Sequence, residues 1–235
     1  MSERDVVVSA LSSEVSVLEP VLLGLSEGEA VLPTRCAPWD VAALAMHTVG
    51  ALQRVLVMLD ADTPEGAASV SAAGYYAPDV RFSPEVNAER VGSALEAAAR
   101  GADAGESGRV LGASWAELAV RMAAEPVDRV VVTRHGDPML LTDFLVTRVV
   151  ELGVHGLDLA DALGRDPWLT DEALAVVVRL LFGGCDGGVV ERVLPGALSD
   201  RAGGVAAVRA ATGRSGSDAG RGALEAAGVR FPALG

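Results

Sequence analysis

Arg148-Val149-Val150-Glu151-Leu152-Gly153-Val154-His155-Gly156-Leu157-Asp158 sets four polar residues in an otherwise apolar stretch. At about 100° per residue, positions 148, 151, 155 and 158 step by three, four and three, so they fall in one line along a helix. Phe144, Leu145, Val146, Val149, Val150, Leu152, Val154, Leu157 and Leu159 cover nearly every other direction. Such a helix is expected to be buried, and a buried charge without a partner is costly. The line therefore calls for paired groups, a metal or bound water. The simpler alternative is that it is the solvated face of an amphipathic helix.

A second stretch has the same character. From Pro38 to about Asp60 the chain is apolar nearly all round, with His47 in the middle. A single His on an apolar face is more often a satisfied core histidine than a ligand; two such helices in one chain favour a site. Glu151 and His155, four apart, reach one point beside their helix, and His47 from a neighbouring helix can supply a third contact. Two imidazoles and a carboxylate leave an open position on Zn²⁺ or a similar divalent ion, the arrangement that catalytic rather than structural sites use. The spacing is not the H-E-x-x-H of metalloproteases.

Around these two helices the pattern predicts a mainly α chain. Asp5 to about Leu25 repeats Val7, Leu11, Val15, Leu18 and Leu22 at helical period. Thr63 to Ser83 reads as an irregular connection, and Val86 to Arg100 as a third helix. Ser114-Trp115-Ala116-Glu117 has the form of a capping box opening a short helix to about Glu125. Val127 to Arg134 is rich in β-formers, with Gly136-Asp137 as a turn. The helix from about Asp143 to Leu163 takes Thr142 as its cap and stops at Gly164 and Pro167. These elements suggest a four-helix bundle over residues 1–165 with its site in the core. Residues 166–235 read as a small, mostly helical extension packed on the bundle. They comprise a helix from Thr170 to Phe182, a flexible Gly183–Gly188 run, and short helices near Val205–Ala211 and Gly222–Ala227. The glycine-rich stretch from Gly213 to Gly222 reads as a plain loop.

Composition narrows the function. The net charge of −13 and the absence of Lys among 19 basic residues leave no clustered positive surface for nucleic acid. Half of the residues are hydrophobic, but His47, Gln53 and Arg54 interrupt the best run, so no membrane span is expected and the chain reads as soluble. Cys36 and Cys185 are isolated, which argues against a disulfide framework or a redox motif, with Cys36 read as a small buried hydrophobe. The start, Met-Ser-Glu-Arg-Asp, lacks a signal-peptide pattern, and the cytoplasm is the expected compartment. His135 reads as an exposed loop residue and Trp39 as a helix anchor. Arg148 is either an anchor for an anionic substrate or a buried partner of Asp158 or Glu151. Asp158 is placed to accept from the second ring nitrogen of His155.

Pro33-Thr34-Arg35-Cys36-Ala37-Pro38-Trp39, followed by His47, resembles the P-T-x-C-x-x-W signature of the mycothiol-dependent maleylpyruvate isomerase family of DinB-like helical bundles. Arg148-x-x-Glu151-x-x-x-His155-x-x-Asp158 resembles that family's R-x-x-E-x-x-v-H-x-x-D helix, and the resemblance covers roughly residues 5 to 165. It implies a DinB-like four-helix bundle in which His47, Glu151 and His155 hold a divalent metal, usually zinc. It also implies mycothiol, a low-molecular-weight thiol, as cosubstrate. Arg148 and Asp158, from their own places on the polar line, are the catalytic candidates. The expected function is isomerisation or S-transfer on a small electrophilic substrate. Two alternatives stand beside it: a metalloenzyme on the same scaffold with thiol-independent chemistry (a lyase, hydrolase or cyclase), and a non-catalytic metal-binding bundle.

Overall fold

Helix ends in this protein are set largely by side-chain caps. In the computed structural model, which describes residues 2–77, 83–215, 220–229 and 231, α1 (Glu3–Leu23) starts with a capping box between Ser2 and Asp5. A single turn, α2 (Glu27–Ala30), is capped in the same way by Ser26 and Glu29. α3 (Val41–Asp60) begins later than Pro38 because the Asp40 carboxylate accepts from the Ala43 N–H. The connection to α4 (Pro84–Ala99) contains one 3₁₀ turn, Gly74–Tyr76, and its residues 78–82 lie outside the described residues.

α5 (Glu106–Ala124) corrects the expected capping box. The helix starts at Glu106, so Ser114 lies buried in its middle. The reason is tertiary. A Cβ at Gly108 would stand 2.5 Å from the Leu23 backbone nitrogen, so this glycine lets α5 run against the end of α1. β1 (Val130–Val132) then pairs antiparallel with β2 (Pro138–Leu140) through a turn in which Gly136 takes φ +86°. Thr142 does not cap the next helix. The Leu141 N–H is already bonded to the Arg129 carbonyl at 2.8 Å, so the ladder runs straight into α6 (Leu141–Ala162) and Leu140 occupies the cap position.

The C-terminal segment holds α7 (Asp171–Phe182), capped by Thr170, α8 (Gly187–Val193), α9 (Arg201–Ala211) and α10 (Arg221–Ala226). The glycine run expected to be flexible instead starts α8, because Asp186 accepts from the N–H groups of Gly188 and Val189. Of the expected Gly213–Gly222 loop, residues 216–219 lie outside the described residues.

α1 and α3 each pack on both α5 and α6, and α4 lies outside this set of four, against α3. Leu11, Leu18, Leu44, Leu52, Leu111, Leu118, Leu145 and Leu152 fill the space between them. α7 packs on α1 and α6 and carries α9 on its other side. α1 and α3 are long and apolar enough by length and composition to cross a membrane, with mean hydropathies of 1.7 and 1.5. This differs from the expectation of no such helix, which required an uninterrupted apolar run. Isolated polar groups, Glu14 on α1 and His47 on α3, do not bring a window below that hydropathy. Within the fold, both helices pack against neighbours through much of their length.

Candidate metal centre

The polar line on α6 is not a solvated face. Arg148, His155 and Asp158 are 5%, 3% and 1% exposed, and Glu151 is partly buried at the floor of a cavity. α3 brings His47 to the same floor. The Oε2 atom of Glu151 lies 3.6 Å from His47 Nε2 and 3.4 Å from His155 Nε2. One ligand atom from each of the three lies within 4.8 Å of the others. Ligand atoms about 2.1 Å from a tetrahedral ion stand about 3.4 Å apart, so the spacing and the donor chemistry both fit a divalent metal.

Both imidazoles are held from behind. Trp39 stacks on His47 with ring centroids 4.4 Å apart, and its own indole N–H donates to the Val91 carbonyl at 3.3 Å, which ties α3 to α4. The Asp158 carboxylate accepts from His155 Nδ1 at 3.0 Å, which aims Nε2 at the shared point, where a metal would take the place of the proton it shares with Glu151. Asp158 in turn receives Arg214 in bidentate fashion, at 2.9 and 2.7 Å, and Cys36 Sγ at 3.4 Å. Arg35 approaches the same carboxylate at 3.8 Å.

Burial works against charge in this cluster, and the partners decide the outcome. It disfavours the Glu151 carboxylate, yet hydrogen bonds from His155 and His47 and the nearby Arg148 hold Glu151 well below the usual range. Burial also opposes charge on His155, but Asp158, Cys36 and Glu151 raise it well above the ordinary histidine value. For His47 burial wins and its pKa falls despite Glu151. Asp158, though buried, is kept low by His155 and Arg214.

Arg148 sits beside this floor rather than in it. Its guanidinium stacks on Phe144 at 4.3 Å, donates from Nε to Thr147 Oγ1 at 3.1 Å, and comes only within 4.0 Å of Glu151. It does not pair with Asp158, whose partner is Arg214. The cavity measures about 610 Å³ and runs between α3 and α4 to the β1–β2 turn. Arg54, Arg90, Arg134 and Arg148 line it, so its wall is locally cationic in a chain of net charge −13. Arg134 is paired with Glu89 at 3.1 Å.

Sequence reasoning missed several of these groups. His135 is half-buried and lines the cavity. Cys36 is buried as expected, but its thiol is bonded into the Asp158 cluster. Arg214 had no local signal, because it follows a glycine in an unpatterned loop. Tyr75, which also lines the cavity, and Arg90 lie on elements whose apposition to α3 the sequence does not encode locally.

A cavity floored by two imidazoles and a carboxylate, carried by packed helices, defines the class: a helical protein with a candidate metal centre of the open, three-ligand kind. Residues 12–160 match the mycothiol maleylpyruvate isomerase N-terminal domain, and the chain belongs to this family. Membership places it among enzymes, in line with the expectation from the two motifs. The solved crystal structure of the mycothiol-dependent maleylpyruvate isomerase is similar in fold, with a TM-score of 0.53 at 13% sequence identity, over 92% of this chain and 90% of that one. The mainly α, DinB-like arrangement expected from the sequence is thereby borne out. No curated protein matches the chain.

Proposed function

We propose that the protein is a metal-dependent enzyme that uses a low-molecular-weight thiol, mycothiol, for isomerisation of, or S-transfer to, a small electrophilic substrate. The observation that carries this reading is the convergence of His47, Glu151 and His155 at the floor of a cavity large enough for two small ligands. Family membership, together with the mycothiol dependence of the structurally similar isomerase, supports the choice of thiol. A divalent ion such as Zn²⁺, held by these three residues, supplies a Lewis acid that lowers the pKa of a thiol and so provides a nucleophile near neutral pH.

The protein's own residues do the rest. Asp158 keeps the Nδ1 proton of His155 in place, so Nε2 stays free to bind. Arg148, buried and 4.0 Å from Glu151, directs positive charge at the cavity and suits an anionic group on the electrophile. Trp39, stacked on His47, holds that imidazole at the floor of the cavity that α3 and α4 wall.

Calorimetry on the zinc-loaded protein tests the proposal. Mycothiol is expected to bind and its S-methyl derivative is not. Zinc retained without mycothiol binding would move the reading to thiol-independent chemistry, and a protein that takes up no zinc would be left as a non-catalytic bundle.

A further inference from the structure

We infer that Arg214 is a positioning residue for the metal centre: by clamping Asp158 it fixes the ring of His155, which makes the turn after α9 part of the site. The inference rests on the proposed ligand set of His47, Glu151 and His155.

Arg214 is committed entirely to this task. Its side chain is 2% exposed. Nε and Nη2 take the two oxygens of Asp158 at 2.9 and 2.7 Å, and Nη1 donates to the Thr212 carbonyl at 2.7 Å. Every guanidinium nitrogen is therefore used inside the protein. A planar fork on both oxygens fixes the plane of the carboxylate, which a point charge cannot do. The fixed plane in turn sets Oδ2 at 3.0 Å from His155 Nδ1.

The turn is anchored a second time from the segment before α3. Arg35 Nη2 donates to the Gly213 carbonyl at 2.6 Å, while its Nε lies 3.8 Å from Asp158. Two independent ties thus hold residues 213 and 214 against the carboxylate that orients a ligand.

The same two helices provide a control. Arg209, on α9 just before that turn, makes bonds of 2.6 and 2.7 Å to Asp161 of α6 without touching His155. Removing it weakens the docking of the C-terminal segment but leaves Asp158 clamped.

Zinc affinity, measured by competition with a chromophoric chelator on full-length metal-free protein, separates the two roles. Loss of a partner behind a ligating His typically costs about 10–100-fold in metal affinity. Arg214→Ala is expected to weaken zinc binding by this amount, Arg214→Lys by less, and Arg209→Ala not at all, with far-UV circular dichroism unchanged in each. Wild-type affinity in Arg214→Ala, or an equal loss in Arg209→Ala, would overturn the inference. If Arg214→Ala does not fold, Arg214→Lys decides: binding weaker than in Arg209→Ala supports the inference, and equal binding overturns it. Failure of the wild type to bind zinc would remove the ligand set itself, whereas zinc binding insensitive to Arg214 would remove only the positioning role.

Discussion

Two buried polar clusters touch α6, and they differ in kind. One is the line of Glu151, His155 and Asp158 with His47, in which ligand atoms converge on a point that opens into a cavity. The other is Glu14 on α1, fully buried, whose Oε2 accepts from the N–H and hydroxyl of Thr170 at 2.9 and 2.8 Å. Thr170 caps α7, so Glu14 places a carboxylate at the N-terminus of that helix and joins α1 to it. Among the described residues its Oε1 has no hydrogen-bond partner, nor does the buried Trp168 Nε1. Among the described residues no candidate ligand group includes Glu14. Burial of polar groups alone therefore does not mark a site; convergence on a shared, accessible point does.

Substitutions can break or sharpen this contrast. The largest effect is expected from His155→Ala, which should reduce metal content to background while the helical signal persists; unchanged metal occupancy would erase the distinction between the clusters. Asp158→Ala strands Arg214 as a buried, unpaired charge and is expected to cost about 3–5 kcal/mol of stability in urea unfolding. A loss below about 1 kcal/mol would mean that Arg214 finds another acceptor. Trp39→Phe keeps a ring on His47 but loses the bond to the Val91 carbonyl, so about 1 kcal/mol should go, with metal content unchanged.

Glu14→Gln should leave metal content as in the wild type, and its signature is pH dependence. Burial raises the pKa of Glu14 above its usual 4.5, more than the bonds from Thr170 lower it. The folded state then holds the proton more tightly than the unfolded state. The wild type is relatively most stable below 4.5 and loses ground as pH rises through the raised value. The Gln variant lacks this loss, so urea midpoints followed from about pH 4 to pH 7 should separate as pH rises; parallel curves would contradict the assignment.

How much of this was legible in the sequence depended on the range of the interaction. The polar line on α6 follows from helical arithmetic alone, and His47 stood out because α3 is apolar around it. The start of α7 was legible to within a residue, at Thr170, where a local side chain sets the end, and caps were misread where tertiary contacts do. α5 extends past Ser114 because Gly108 admits Leu23, and α6 needs no cap at Thr142 because a strand feeds it directly. Arg214 could not be read. It lies 56 residues from Asp158 behind a glycine, and only the packing of α7 and α9 brings it home. Likewise the sequence left open whether Arg148 pairs with Asp158 or faces a ligand; the structure gives Asp158 to Arg214 and leaves Arg148 at the cavity.

X-ray absorption at the zinc edge tests the central claim most directly, with spectra taken before and after addition of mycothiol. Two imidazoles and a carboxylate with an open position predict nitrogen and oxygen neighbours alone in the first spectrum, and a sulfur neighbour at about 2.3 Å in the second. A sulfur neighbour already present without the thiol would place Cys36 on the metal and contradict the three-ligand account, as would a zinc environment that mycothiol leaves unchanged.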